Sequence, residues 1–423
     1  MKQFWKTLAA AVLSAALLVL GCACTPSEPK EEEPDLSKYP YYVDPEQASA
    51  DSFVFVADAG GVTEMSEEVY RPYWYGNVIY NETVLLTQDE ASGRISGKLL
   101  YDAVKILSVR NHDFTVTYQE GVDYTWSGNE IVRTDGSAIK YHTRAELTGD
   151  SIPEPYRLTS SISNVATDIV RMGATIYTES DYLYGYQVSV SYVYDVKDIE
   201  ESYPAYEAGF APKTVQKLKA GEAVNMTIIG DSVGEGCSSS GYMKHTPYMP
   251  PFINLVQRGL QERYQTTVNL QNKSKGGETS TWGSNDTQIA AVAATQPDIL
   301  FVHFGINDCG AGSSQNLYYD NLQKLILNLT SACPNVEIVL IKCFTPEPWT
   351  YDGDMLEKYG KKIDELCAEN DNVYQLDLYT LSTQMLAVKD YMDVTANGIN
   401  HINDYTTRLY AMSILSKLCD FAE

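Results

Sequence analysis

"IIGDSVGEG", Ile228 to Gly236, sets the tripeptide Gly-Asp-Ser directly behind a run of apolar residues. That run, "MTIIG" (226–230), reads as a strand buried on both faces. Similar runs follow at "TVNLQ" (267–271), "DILFVHFG" (298–305), "VEIVLIKC" (336–343) and "VYQLDL" (373–378). Helical patterns lie between them, near 250–263, 284–295, 314–332 and 354–369, and a last helix runs from about Asp404. Apolar strands alternating with helices predict a doubly wound parallel α/β sheet. In such a sheet, sites form at the carboxyl ends of strands, which is where Ser232 falls. The tripeptide also occurs at Gly149, Asp150 and Ser151, in "ELTGDSIPE". No apolar strand precedes that copy, so Ser151 reads as a loop serine.

From about Ser52 to Val196 the pattern is mostly period two. Tyr184, Tyr186, Val188, Val190, Tyr192, Tyr194 and Val196 alternate with Gly185, Gln187, Ser189, Ser191 and Asp195. This spacing predicts a strand with one buried face. "DFTVTY" and "EIVRT" read as shorter strands beside turn residues. Many strands and few helices predict an all-β sandwich ahead of the α/β part. "APKTVQKLKAG" reads as a short connecting helix with a glycine stop.

The first residues read as a targeting signal. Lys2 and Lys6 precede an apolar run, Leu8 to Leu20, too short for a comfortable membrane span. Val19-Leu20-Gly21-Cys22 resembles a bacterial lipobox, which implies cleavage before Cys22 and lipidation of its thiol; Cys24 is the weaker acceptor. "TPSEPKEEEPDLSKYP" (25–40) is acidic and proline-rich and reads as a solvated tether. The expected layout is a signal peptide (1–21), a tether (22–44), a β-sandwich (45–199), a connecting helix (200–222) and the α/β domain (223–423). The expected location is extracytoplasmic, with membrane contact through the lipid anchor only. The net charge of −25 argues against nucleic-acid partners, whose phosphates would be repelled.

A serine hydroxyl is a weak nucleophile and needs both a base and oxyanion donors. Strand ends supply candidates for each. "NKSKGGETS" follows the second strand and carries Asn272, Gly276, Gly277 and Thr279. "GIND" follows the third, with Asn307 and Asp308, and "NGINHINDYTTRLYA" brings His401 ahead of the last helix. These four blocks, in this order over residues 223–423, resemble the SGNH (GDSL) hydrolase family, whose sheet is flavodoxin-like. The resemblance implies Ser232 as nucleophile and His401 as general base. It implies an oxyanion hole of the Ser232 N–H, the Gly277 N–H and the Asn307 amide, with Gly276 as the competing glycine. It implies no metal and no organic cofactor. Among the other histidines, His303 reads as core, His112 and His142 belong to the β region, and His245 borders the substrate side. The run Gly230-x-Ser232-x-Gly234 also fits a nucleophile elbow, but that fold places several strands before its serine.

The family's usual acid stands three residues before the histidine. Here that position is Gly398. A carbonyl of the "TANGIN" turn, Asp393 or Asp404 remain as partners for the imidazole. Asp404 also suits a helix cap. A β-sandwich ahead of such a domain is similar to certain bacterial carbohydrate esterases, some with a Ser-His dyad, and implies deacetylation of polysaccharide. Trp282 and Trp349 follow strands at the active edge and suit either sugar stacking or loop packing. Lipid or thioester hydrolysis by the same residues, and non-catalytic glycan binding, are the alternatives. Cys237 and Cys309 follow neighbouring strands and are the candidate disulfide pair, against free buried thiols.

Overall fold

A computed structural model describes residues 34–199, 203–348 and 350–422. The signal segment, Cys22, most of the tether and Trp349 therefore lie outside the described residues. Asp35–Glu423 forms one compact unit.

The parallel sheet comprises Val224–Gly230, Val268–Asn272, Ile299–His303, Glu337–Lys342 and Val373–Asp377. Its spatial order is second, first, third, fourth, fifth, all pairs parallel. Alternation within each strand divides the core. Met226, Ile228, Ile299, Phe301, Val339 and Ile341 share one apolar cluster with the helices Phe252–Tyr264 and Asp404–Leu418. Ile229, Leu300, Val302, Ile338 and Leu340 share another with Gln315–Ala332 and Gly353–Glu369. Both faces are covered by helices, which is why the three inner strands are largely apolar, whereas the edge strands Val268–Asn272 and Val373–Asp377 carry polar residues. A helix over Leu378–Met385 was not anticipated from sequence; it follows the fifth strand directly, capped by Asp377.

The preceding region is strand-rich and largely antiparallel. Its central sheet runs Val78–Leu85, Gln187–Tyr194, Ala103–Asn111, Thr117–Tyr118. Three further small sheets accompany it, including Arg157–Thr159, Asp168–Met172 and Thr175–Thr178. Gln187–Tyr194 differs from the one-faced strand expected: all its residues are buried. It lies between two partner strands, and the hydrolase part covers its second face. There Gln187 Nε2 donates to Met392 O (2.7 Å) and Thr395 O (2.8 Å). The strand also starts later, because Tyr184–Tyr186 forms a 3₁₀ turn.

The two regions share one apolar cluster, in which Ile79, Val190 and Tyr192 join Leu409 and Met412 of the last helix. That helix is buried nearly all round, so it carries no polar stripe. Its Arg408 is buried and donates to Val69 O (2.8 Å) and Tyr80 O (2.7 Å). Lys389, fully buried, donates to Glu82 Oε1 (2.5 Å), Thr83 O (3.0 Å) and Lys98 O (2.7 Å). Buried charges persist only when paired in this way.

Candidate active site

Gly230 ends the first strand where a β-carbon would meet His303 O at 2.5 Å, so only glycine permits this close passage. Asp231 then caps the short helical turn Ser232–Glu235, its Oδ1 accepting from Val233 N at 3.0 Å. Ser232 takes the first helical position, where a backbone N–H has no intrahelical partner. His303, expected as core, is fully buried and also holds the cap: its Nδ1 lies 3.0 Å from Asp231 Oδ1 and its Nε2 3.3 Å from Tyr410 Oη.

His401 reaches this turn from the last loop. Its Nε2 stands 3.0 Å from Ser232 Oγ. The loop is organised by Asn397, whose Oδ1 accepts from Ile399 N (3.0 Å), Asn400 N (3.1 Å) and His401 N (3.0 Å). Gly276 and Gly277 are distinguished by their partners. The Gly276 N–H is taken by Glu235 Oε2 at 2.6 Å. The Gly277 N–H makes no hydrogen bond among the described residues. Asn307 Nδ2 donates to Glu278 O at 3.0 Å, fixing the third block against the second. Asp308, buried, accepts from Ser280 N and from Ser280 Oγ (2.5 Å), and burial raises its carboxyl above the ordinary range. Asn272 Nδ2 donates to Gly234 O at 2.9 Å, and Thr279 precedes the turn Ser280–Gly283.

Neither aspartate proposed for the imidazole reaches it. Asp393 Oδ1 accepts from Leu85 N at 2.6 Å, and its Oδ2 lies 3.6 Å from Lys389 Nζ, so it belongs to the buried charge cluster. Asp404 does not cap the last helix; Asn403 does, through Thr406 N, while Asp404 Oδ1 accepts from Ser240 N at 2.9 Å. No carbonyl of the "TANGIN" turn is bonded to His401 Nδ1 among the described residues either. Instead His401 Nδ1 faces Ser238 Oγ at 2.9 Å and Glu179 Oε1 at 3.5 Å. Glu179 comes from the strand-rich region, one residue past Thr175–Thr178. Burial pushes its carboxyl up, but contacts from His401, Tyr177 and Asn397 outweigh this and hold it below its ordinary value.

The remaining expectations divide. Trp282, partly buried, packs edge-on to Phe304 with Lys275 Nζ 5.9 Å over its ring. His245 stacks on Tyr184 with centroids 4.4 Å apart and lines a small cavity with Ser238, on the Nδ1 side of His401. Ser151 is exposed in the turn after helix Arg144–Thr148. Cys237 and Cys309 are free, as are the other four described cysteines; Cys309 Sγ turns to Asp352 O, and burial pushes the Cys237 thiol up to about 11.

Strand-end serine, histidine, glycine and asparagine on a 2-1-3-4-5 sheet define a serine hydrolase class. Residues 228–404 match the profile of the GDSL-like lipase/acylhydrolase family. Among curated proteins, none matches the chain. Among solved structures, a two-domain esterase active on acetylated mannans is similar over 50% of this chain and 53% of its own, at 19% identity and TM-score 0.40. The chain thus spans about half the length of that protein. An acetyl-xylooligosaccharide esterase mutant from Geobacillus stearmophilus is similar over 46% of this chain and 94% of its own, at 18% identity and TM-score 0.38. A GDSL-like lipase candidate from Parabacteroides merdae covers 46% and 96%, at 20% identity and TM-score 0.38.

Proposed function

We propose that this protein is a serine esterase removing acyl groups, acetyl above all, from carbohydrate. The observation that carries the reading is the 3.0 Å contact of His401 Nε2 with Ser232 Oγ at the strand ends. Ser232 Oγ attacks the ester carbon while its proton passes to His401 Nε2. The carbonyl oxygen becomes an oxyanion held by the Ser232 and Gly277 N–H groups and the Asn307 amide. Collapse expels the sugar alkoxide, which takes the proton from His401 and leaves acyl-Ser232. Water then attacks, His401 accepts its proton, and the carboxylic acid departs as Ser232 regains its hydrogen.

The surroundings support a polar alcohol with a short acyl group. Tyr177, Glu179, Glu235, Ser238 and Tyr242 stand around the dyad or its partners. Tyr351 lies against the helix carrying Asn307, since a β-carbon at Gly310 would sit 3.4 Å from its ring. Hydroxyls and carboxylates match sugar hydroxyls better than they match an alkyl tail. The test is a substrate series: p-nitrophenyl acetate, butyrate and octanoate, an acyl thioester, lysophosphatidylcholine, and acetylated xylan and mannan. We expect acetate to be the best simple ester and acetic acid to be released from polysaccharide. Preference for octanoate, thioester or lysolipid would replace the carbohydrate reading with the lipid or thioester one. Polysaccharide binding without any hydrolysis would favour the glycan-binding alternative.

We also propose that Cys22 is lipidated and tethers the mature chain to a membrane on the extracytoplasmic side. The lipobox-like Val19-Leu20-Gly21-Cys22 supports this reading. Radiolabelled palmitate should enter the wild-type chain and not the Cys22→Ala variant; equal labelling of both would refute it.

A further inference from the structure

We infer that Glu179, from the strand-rich N-terminal region, is the positioning acid of His401 and completes a Ser232–His401–Glu179 triad across the two regions of the chain. The inference rests on the esterase reading and deepens it. A histidine that accepts a proton at Nε2 must keep the other on Nδ1, and a carboxylate there stabilises the imidazolium that forms. Two oxygens face Nδ1: the Ser238 hydroxyl at 2.9 Å and the Glu179 carboxylate at 3.5 Å. They act differently. The hydroxyl fixes the ring in its tautomer but carries no charge. The carboxylate supplies the counter-charge when the ring becomes cationic. A separation of 3.5 Å suits a resting site, since catalytic hydrogen bonds tighten on the reaction path.

Glu179 is itself held in place. Tyr177 Oη donates to its Oε1 at 2.9 Å, and Asn397 Nδ2, from the His401 loop, lies 3.5 Å from the same oxygen. Its side chain and that of His401 are 16% and 14% exposed, so the pair is shielded from bulk water. The ionisable groups facing Glu179 are His401, Tyr177, Cys237 and Tyr184. Of these, only His401 can gain a positive charge. Gly398 explains the arrangement. A β-carbon there would meet Ile176 O at 2.3 Å, because the strand Thr175–Thr178 occupies the space an acid at this position would need. Thr178 N donates to Asn397 O at 3.1 Å, and the next residue along that strand is Glu179. The chain therefore brings a carboxylate to His401 on the strand that displaces the expected one.

The experiment uses the full mature chain with p-nitrophenyl acetate, comparing wild type with Glu179→Gln, Glu179→Asp and Ser238→Ala. Glu179→Gln should lower kcat about 10²-fold with KM little changed, less than in a triad with a single acceptor because Ser238 still holds the tautomer. A nearby carboxylate favours the charged ring, so its loss should move the acid limb of kcat/KM to lower pH. A purely structural residue would not move that limb. Glu179→Asp should recover part of kcat and the wild-type limb. Ser238→Ala should cost less than Glu179→Gln and leave the limb nearly in place. If Glu179→Gln fails to fold, Glu179→Asp and the downfield Nδ1 proton resonance of the wild-type imidazolium decide. A Glu179→Gln enzyme within threefold of wild type, with an unmoved limb, would overturn the proposal and leave a Ser232–His401 dyad held by Ser238. In that event Ser232→Ala would still be inactive, so the esterase reading would stand. Absence of ester hydrolysis by wild type would remove both.

Discussion

Ser232→Ala lowers kcat on p-nitrophenyl acetate by about 10⁴–10⁶-fold, and His401→Ala does nearly the same, because nucleophile and base act as one unit. Each loss is expected without loss of fold. Ser232 is small, and alanine keeps the first helical position that Asp231 caps. The double variant should be scarcely worse than either single one, since removing either partner already abolishes the transfer of the serine proton. Ser151→Ala is the matched control. Ser151 is exposed, and its N–H bonds Ala145 O through the backbone, which alanine retains. Initial rates at saturating ester, with circular dichroism on the same samples, make the comparison. A Ser232→Ala variant within tenfold of wild type would move the nucleophile elsewhere.

Gly398→Asp, which restores the family's usual spacing of acid and histidine, inactivates the enzyme. Gly398 has φ +86, a left-handed conformation that costs a side chain about 1–3 kcal/mol. Its new β-carbon would lie 2.3 Å from Ile176 O and 3.1 Å from Leu183 Cδ1, a clash with backbone that adds a comparable amount. To relieve it, the His401 loop and the strand Thr175–Thr178 must separate. Separation misplaces His401 and withdraws Glu179 together, and the two losses combine to roughly 10³–10⁴-fold in kcat. Gly398→Ala should show much of the same defect, because the β-carbon alone carries the clash. An active Gly398→Asp enzyme of undiminished melting temperature would show that this close passage is not required.

Most of the parallel sheet was legible because its signal is local. Apolar runs such as "MTIIG" and "VEIVLIKC" are buried on both faces, and the matching strands begin or end within a few residues of the expected bounds. Ser232 and His401 were legible for a related reason: each sits in a short block at a chain turn, and the blocks come in a fixed order. Glu179 carried no such mark. It lies in "YTESDY", with no spacing to His401, and reaches it only because two regions pack together. The one available sign was Gly398. From sequence it reads as a missing acid; in three dimensions it is the gap through which a strand passes. The central strand Gln187–Tyr194 misled in the same direction. Its serines and glutamine alternate like a solvent face, yet all are buried: Ser191 accepts from Asn81 N of the neighbouring strand, and Gln187 holds the carbonyls of Met392 and Thr395 in the hydrolase part. Polar side chains that satisfy a neighbour's backbone cannot be told from wet ones by periodicity.

The grip of Arg408 on the carbonyls of Val69 and Tyr80 has a bearing on how the protein is born. A ribosome releases the strand-rich segment first, with its share of the apolar cluster unsheltered. The helix that covers it is made only after all the described strands, in the same stretch as His401. A chain cut before this segment lacks both His401 and the helix that shelters the cluster, so the site assembles only once residues 401–418 have packed on the strand-rich segment.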